Sequence, residues 1–124
     1  MNNMFVYYNA RPDHEREEDC VCRAITVGLN LPYETVARLL EMSAAFFGCD
    51  ELFVDCYAHL LEDVFGLRRV KCFHAETVED IARAYPNNKV LIRIDGHLTV
   101  SASSFVFDTW DCSQEIVDQY WVVE

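Results

Sequence analysis

The N-terminal half of the chain repeats apolar residues every three or four positions, which is the spacing of amphipathic helices. A first helix is predicted from Asp19, whose carboxylate can accept an unpaired backbone N–H, to Gly28 or Asn30. A second helix is predicted to begin near Pro32, with Asn30 as its cap, and to end at Gly48. The pattern therefore predicts two consecutive amphipathic helices.

Two further helices are predicted in the middle of the chain. One covers residues 50–65 and ends at Gly66. Its expected buried residues are Leu52, Phe53, Cys56, Leu60, Leu61 and Val64. Thr77 followed by Asp80 resembles a capping box, with Asp in place of the usual Glu. It predicts a short helix that reaches about Tyr85 and is closed by the proline that follows.

The C-terminal part of the chain changes to short runs rich in Val, Ile, Phe and Trp, separated by Asp-Gly and Ser-rich turns. Such runs indicate the strands of an antiparallel sheet. Together with two earlier strands, they cover residues 4–8, 69–73, 90–94, 98–102, 105–109 and 120–123. Because helices come first and most strands last, we predict an α+β fold with N-terminal helices packed on a C-terminal antiparallel sheet. A chain of 124 residues, 52% of them hydrophobic, suffices for one core, so a single domain over residues 1–124 is expected.

The net charge of −11 restricts the partners that the sequence favours. Binding to nucleic acid requires clustered Lys and Arg, which ten scattered basic residues do not supply, so no nucleic-acid partner is expected. The acidity favours a basic protein partner, or imitation of the charge of a nucleic acid. No run approaches the roughly 20 apolar residues of a membrane span, and the N-terminus lacks a secretory pattern. We therefore expect no membrane partner and a cytoplasmic location, in the host cytoplasm if a phage encodes the protein.

The six cysteines are expected to be reduced thiols, most of them buried, because disulfides are rare in the cytoplasm. Cys20 and Cys22 have the spacing C-x-C, and no second close Cys/His pair follows at the spacing of zinc ligands. Two Cys/His neighbours elsewhere are interpreted as core thiols beside surface histidines: Cys56 with His59, and Cys72 with His74. The sequence therefore predicts neither a metal nor a cofactor.

Cys20 is the thiol best placed for chemistry, because it lies at the start of the first predicted helix. The partial positive charge of the unpaired N–H groups there favours a thiolate. The four acidic residues between positions 15 and 19 oppose it, and Arg23 is expected to pair with them and to relieve part of their effect. A thiolate at Cys20 therefore needs a basic partner as well.

The best candidate for that partner is His97, which follows an Asp-Gly turn and is expected to begin a strand at an edge of the sheet. If this strand pairs with the next around a turn centred between Ala102 and Ser103, His97 lies opposite Asp108 on the same face. The carboxylate could then hold the imidazole ring. Cys20, His97 and Asp108 would supply the nucleophile, base and orienting acid of a thiol protease triad.

Each of these residues also has a plainer interpretation. Cys20 could be a small buried hydrophobe, and His97 a turn histidine whose ring bonds the backbone. Asp108 could cap the turn before Trp110. Asp111 competes for the orienting role, although its position in the following turn favours a structural one.

Three segments resemble a family of small uncharacterised bacterial and phage proteins: D-C-V-C-R-A-I-T-V-G-L-N-L-P-Y-E-T-V (residues 19–36), G-H-L-T-V (96–100) and F-D-T-W-D-C-S (107–113). That family is similar to papain-like cysteine peptidases, near the double-glycine leader peptidases, which share the order Cys, His, Asp. The resemblance covers both ends of the chain and leaves residues 42–86 unmatched.

The resemblance implies a papain-like fold in which Cys20 is the nucleophile, His97 the base and Asp108 the orienting acid. The chain departs from the pattern at two positions. Papain-like enzymes place a Gln about six residues before the nucleophile as an oxyanion donor, and His14 stands there instead. A protonated or suitably tautomeric His14 could donate to the oxyanion in its place, as could the Cys20 backbone N–H. Cys22 replaces an aliphatic residue and, two positions from Cys20 on a helix, is expected to face the core.

The activity that this resemblance implies is thiol-dependent hydrolysis of a peptide or isopeptide bond, with a peptide or protein as substrate. An acyltransferase would use the same triad and differ only in the nucleophile that resolves the thioester. The alternative is a weakly active or inactive papain-like fold that acts as an acidic protein-binding module, such as a phage-encoded inhibitor of a host factor. The charge of −11 and the missing Gln favour that alternative.

Overall fold

The computed structural model describes residues 4–15 and 17–124, and within them the chain forms four α-helices, a π-helical turn and six strands. The helices are α1 (Cys20–Leu29), α2 (Tyr33–Phe47), α3 (Val54–His59), which continues into the π-helical turn Leu60–Val64, and α4 (Val78–Ala84). The strands are β1 (Phe5–Tyr7), β2 (Arg69–Lys71), β3 (Lys89–Ile94), β4 (His97–Ala102), β5 (Phe105–Asp108) and β6 (Val117–Val123). The predicted α+β class is confirmed. None of the helices in the described ranges has the length and apolar character needed to cross a membrane.

The six strands form one sheet in the order β1-β5-β4-β3-β6-β2. All neighbours are antiparallel except β1, which pairs in parallel with β5. β4 therefore lies between β5 and β3, so the prediction that His97 begins an edge strand is wrong. His97 is instead the first residue of an interior strand, where the end of the sheet gives its side chain access to neighbouring elements.

Helices cover both faces of the sheet. On one face, α1, α2 and α3 pack on alternate strand residues that include Leu91, Leu98 and Trp121. On the other face, α4 packs on the intervening residues, among them Val90 and Ile92. The prediction of N-terminal helices on the sheet holds for the first three, whereas α4 lies on the opposite face because β3 is apolar on both sides.

The first helix approaches the sheet closely at Gly28. A Cβ atom built at that position would lie 2.9 Å from Cδ2 of Leu91, a side chain that is completely buried. The helix ends where Asn30 takes the left-handed conformation with φ 53°. Asn30 thus ends α1 and does not cap α2, whose N-terminal position is occupied by Pro32 without a side-chain cap.

The third predicted helix is shorter than expected. Residues 50–53 form a turn in which the Leu52 N–H donates to Asp50 Oδ1 at 2.9 Å, and α3 begins only at Val54. Three of the six residues expected to be buried are buried: Cys56, Leu60 and Leu61. The other three are exposed: Leu52 at 41%, Phe53 at 66% and Val64 at 59%. The late start leaves Leu52 and Phe53 outside the apolar stripe of the helix.

The expectation of six reduced thiols is wrong at two positions. Cys49 and Cys56 form a disulfide across a sequence separation of seven residues. The bond joins the end of α2 to α3 and encloses the exposed turn between them. Four cysteines are free: Cys20, Cys22, Cys72 and Cys112.

The fourth helix begins as the sequence predicted. The Asp80 N–H donates to Thr77 Oγ1 at 3.2 Å, and the Thr77 N–H donates to Asp80 Oδ2 at 2.9 Å, so both halves of the capping box are present.

Candidate active site

The N-terminus of α1, which carries Cys20, is held by a charged network around Asp19. The Asp19 carboxylate makes no hydrogen bond to the helix backbone, so the predicted N-cap bond is absent. It lies instead 3.2 Å from Nε of Arg23, and its other oxygen accepts a hydrogen bond of 2.7 Å from Tyr33 Oη. Arg11 Nη1 lies 3.5 Å from that second oxygen. The expected pairing of Arg23 with the acids before Cys20 is therefore confirmed. The contacts of Asp19 with Tyr33 and Arg11 connect the start of α1 to α2 and to the preceding connector.

His97 and Asp108 make a short hydrogen bond, with 2.6 Å between His97 Nε2 and Asp108 Oδ2. Their strands pair Val100 with Phe107, so the turn is centred one residue later than predicted and Asp108 is not directly opposite His97. The residue opposite His97 is therefore two positions away from Asp108. Because side chains alternate between the faces with a period of two, His97 and Asp108 still lie on the same face of the sheet. They are diagonal neighbours, a separation that long side chains can span.

The Asp108 carboxylate is buried, with 6% of its side chain exposed. Besides the bond to His97, its Oδ1 accepts the Thr109 N–H at 2.7 Å, and the Cys112 thiol donates to Oδ2 at 3.6 Å. Burial raises the pKa of Asp108, but the hydrogen bond and positive charge of His97 outweigh it and hold the pKa below its usual value. The carboxylate is therefore ionised at neutral pH.

The Cys20 thiol and the His97 imidazole line the same cavity, and hydrogen-bond interactions with that ring and with the Leu98 N–H act on the pKa of the thiol. Because Asp108 engages Nε2, the ring nitrogen left for the sulfur is Nδ1. Burial pushes the pKa of Cys20 up, but these two hydrogen bonds and the charges of His97 and Arg23 outweigh it, so the pKa is lowered.

The same contacts act on the imidazole in the opposite direction. Burial lowers the pKa of His97, but hydrogen bonds with Asp108, Cys112 and Cys20 raise it to about 11. A thiol with a lowered pKa beside an imidazole with a raised one favours the thiolate–imidazolium ion pair. The arrangement therefore prepares a nucleophile at Cys20 and a proton donor at His97.

Cys20 and His97 open into a cavity of about 410 Å³. One wall is apolar and includes Leu52, Phe53 and Trp110. The Trp110 ring lies 5.1 Å from the His97 ring, measured between centroids, with the planes inclined by 56°. Trp110 therefore shields one side of the imidazole from water and leaves the sulfur accessible from the cavity.

The structure brings together three of the four residues that the sequence singled out, and their catalytic roles stay predictions. The fourth, His14, is exposed in the connector with φ 56° and does not line the cavity. Cys22 is buried with Sγ 3.6 Å from the Tyr33 carbonyl oxygen, so its placement in the core is confirmed. Asp111 accepts hydrogen bonds from the backbone and hydroxyl of Ser113 and stabilises the turn.

Cys112 is a neighbour of the site that the sequence did not indicate. It is completely buried and contacts both His97 and Asp108, because the turn after β5 folds back over the end of β4. Residues four positions apart, such as Asp108 and Cys112, are neighbours on a helix. In a turn the same spacing does not predict a contact.

His97, Asp108 and Cys112 also present donor atoms within 4.8 Å of one another, and N, O and S are all ligands of zinc. The 2.6 Å between His97 Nε2 and Asp108 Oδ2 is shorter than the roughly 3.3 Å that two ligands of one tetrahedral zinc ion keep. A metal would have to break this hydrogen bond to bind. The geometry is that of a hydrogen-bonded pair with an adjacent thiol.

No family model, curated protein or solved structure matches the chain. The resemblance to papain-like peptidases therefore stays a prediction.

Proposed function

We propose that the protein is a papain-like cysteine hydrolase that cleaves a peptide or isopeptide bond through Cys20, His97 and Asp108. The observation that carries the proposal is that Cys20 and His97 line one cavity while Asp108 Oδ2 lies 2.6 Å from His97 Nε2. It supplies a nucleophile, a proton carrier and a carboxylate that fixes the ring, which are the three roles that acyl transfer requires.

In the proposed reaction, the Cys20 thiolate attacks the carbonyl carbon and forms a C–S bond, while the carbonyl electrons move to oxygen. The oxyanion collapses, the C–N bond breaks, and His97 gives its Nδ1 proton to the leaving amine. Water then attacks the thioester as His97 takes its proton, and the acid and the Cys20 thiolate are released. An amine in place of water would make the same steps an acyl transfer.

The oxyanion is expected to be stabilised by the Cys20 backbone N–H, because Cys20 is the first residue of α1 and the first N–H groups of a helix have no partner within it. His14, the expected second donor, lies outside the cavity lining. One oxyanion donor contributes a factor of about 10² to 10³ in rate. We therefore expect slow turnover, because formation and hydrolysis of the acyl-enzyme both pass through an oxyanion.

The proposal is tested with a peptide probe that carries an electrophilic acyl warhead, followed by peptide mapping of the labelled cysteine. Wild-type protein should be labelled at Cys20, and Cys20→Ser should lose the label. Cys22→Ser, in which the neighbouring thiol is changed, should keep it. Equal labelling of Cys20 and Cys22 in the wild-type protein would contradict the proposal.

An acidic protein-binding module is the second candidate, favoured by the net charge of −11 and by the position of His14. Its binding to a basic protein should survive Cys20→Ala and weaken at raised salt, because screening acts on exposed charges. Loss of such binding in Cys20→Ala would exclude a role that is independent of the thiol.

A further inference from the structure

The cavity beside Cys20 has an acidic rim formed by Glu17 and Glu18, both exposed. Arg11 Nη1 lies 3.3 Å from Glu17, in a contact that it shares with other acids. Glu18 has no ion pair or hydrogen bond within the part of the chain that the structure describes. Among the described residues, the rim therefore keeps a negative charge at Glu18 that no ion pair compensates, beside a Glu17 that shares Arg11 with other acids.

Two arginines also line the cavity, but each is already paired with an acid. Arg23 Nε lies 3.2 Å from Asp19. Arg93 Nη1 makes a short hydrogen bond with Asp118. With these cations compensated and a net charge of −11 over the whole chain, we expect a negative potential at the cavity mouth.

The wall that includes Leu52 and Phe53 leaves apolar surface open to the cavity. Leu52 is 41% and Phe53 66% exposed, and Trp110 adds a further aromatic face that is 41% exposed. A volume of about 410 Å³ falls within the roughly 300–1,000 Å³ of ligand sites. Apolar surface gathered in a cavity beside a nucleophile fits the side chain of a bound peptide.

We propose that this cavity selects peptides in which a Lys or Arg neighbours a large apolar residue. The apolar side chain packs on Leu52 and Phe53, and the cation lies at the rim near Glu17 and Glu18. The proposal names the substrate class of the proposed hydrolase and so rests on that function. An Arg in the substrate would gain further from the aromatic faces of Phe53 and Trp110.

The test measures peptide binding to Cys20→Ala by fluorescence anisotropy, so that no covalent step takes part. Three labelled peptides share a Phe and differ at one neighbouring position, which is Lys, norleucine or Glu. The Lys peptide should bind about two- to five-fold more tightly than the norleucine peptide at low salt, as expected for an exposed ion pair, and the Glu peptide should bind most weakly. Glu17→Gln with Glu18→Gln should remove this preference. Glu34→Gln, at an exposed acid on α2 outside the cavity, should retain it.

The apolar wall is tested separately with Phe53→Ala, which should weaken binding of the Phe peptide about five-fold. Phe73→Ala is the matched control, because Phe73 is 86% exposed and lies outside the cavity lining. Equal binding of the three peptides, or a preference for Lys that survives both rim substitutions, would overturn the proposal. Failure of the proposed function would show differently, as absence of labelling at Cys20 by the acyl probe.

Discussion

His97 Nε2 lies 2.6 Å from Asp108 Oδ2 although the two residues are diagonal, not opposite, neighbours on β4 and β5. Both side chains are largely buried, at 12% and 6% exposed. The Cys112 thiol and the Thr109 N–H also donate to this carboxylate, at Oδ2 and Oδ1. The imidazole is thus fixed from one side and free to exchange a proton on the other.

The first prediction concerns the pH dependence of stability that this pair confers. His97, with a pKa raised from 6.5 to about 11, stabilises the fold fully below pH 6.5 and progressively less as pH rises toward 11. Asp108, with a pKa lowered from 3.8, stabilises it above pH 3.8 and loses this effect as pH falls further. The coupling free energy from the cycle of His97→Ala, Asp108→Ala and the double variant should therefore be largest, at about 3 kcal/mol, between pH 4 and 6.5.

Urea unfolding at several pH values measures this coupling. The matched control is the His59–Asp63 pair, which has a similar distance of 2.9 Å but side chains that are 42% and 61% exposed. It should contribute less than about 0.5 kcal/mol. A coupling between His97 and Asp108 that does not change from pH 5 to pH 9 would contradict the ion-pair description.

The second prediction concerns the reactivity of Cys20. Because its pKa lies below the ordinary value of 9.0, alkylation by iodoacetamide should reach its plateau at a lower pH than that of an ordinary thiol. His97→Ala should move the midpoint upward, since it removes both a hydrogen bond and a positive charge. Mass spectrometry of the labelled peptides resolves each cysteine. His59→Ala should leave the Cys20 midpoint unchanged, and an unchanged midpoint in His97→Ala would contradict the contact.

The third prediction separates the role of Arg23 from that of His97. Arg23→Gln removes a cation that lowers the pKa of Cys20 and leaves the Asp19 carboxylate less compensated. Alkylation of Cys20 at pH 7 should slow by about two- to five-fold, less than in His97→Ala. Arg38→Gln, at an exposed position on α2, should have no effect. Equal rates for Arg23→Gln and the wild-type protein would show that His97 alone activates the thiol.

The fourth prediction concerns the Cys49–Cys56 disulfide. A covalent loop of this length lowers the entropy of the unfolded chain and stabilises the fold by about 2.5 kcal/mol in the chain-entropy model. Cys49→Ser with Cys56→Ser should lower the free energy of unfolding by about that amount, and reductant should then have no further effect. Cys72→Ser, at a half-buried free thiol, is the control. A wild-type protein whose stability is the same with and without reductant would argue against the bond.

The fifth prediction concerns the close approach of α1 to β3. Alanine is favoured over glycine in a helix by about 1 kcal/mol, but a methyl group at position 28 would meet Leu91, where overpacking costs about 1–3 kcal/mol. Gly28→Ala should therefore destabilise the protein by about 1 kcal/mol. Adding Leu91→Val should recover part of the loss in thermal unfolding. Stabilisation by Gly28→Ala alone would show that α1 lies further from the sheet.

The parts of the fold that the sequence predicted well are those with local chemical signals. Gly48 ends α2 in the left-handed conformation, and Thr77 with Asp80 begins α4, because these residues satisfy backbone groups within one turn. The parallel pairing of β1 with β5 joins residues about 100 positions apart and has no local signature. The Cys49–Cys56 bond was missed for a different reason, because the expected cytoplasmic location led to the prediction that all six cysteines are reduced.

The register of β4 and β5 shows how a small local feature escapes prediction. Ser103 and Ser104 both have positive φ, at 52° and 69°, in a two-residue turn closed by the pair Ala102 and Phe105. Asn and Gly at these two positions predict such a turn, because they readily adopt positive φ, whereas serine does not predict it. His97 and Asp108 nevertheless make the predicted contact. The predicted register differs from the observed one by two positions, and an even difference keeps both side chains on the same face of the sheet.

The disulfide-closed turn has a consequence for engineering. It carries Leu52 and Phe53 on a short loop with covalently joined ends, whereas the imidazole and its carboxylate belong to the sheet. Because the loop and the sheet are separate elements, residues 50–53, which precede α3, can be exchanged without replacing the residues of the sheet. Libraries made in this loop would alter the preferred ligand while the reacting atoms keep their positions.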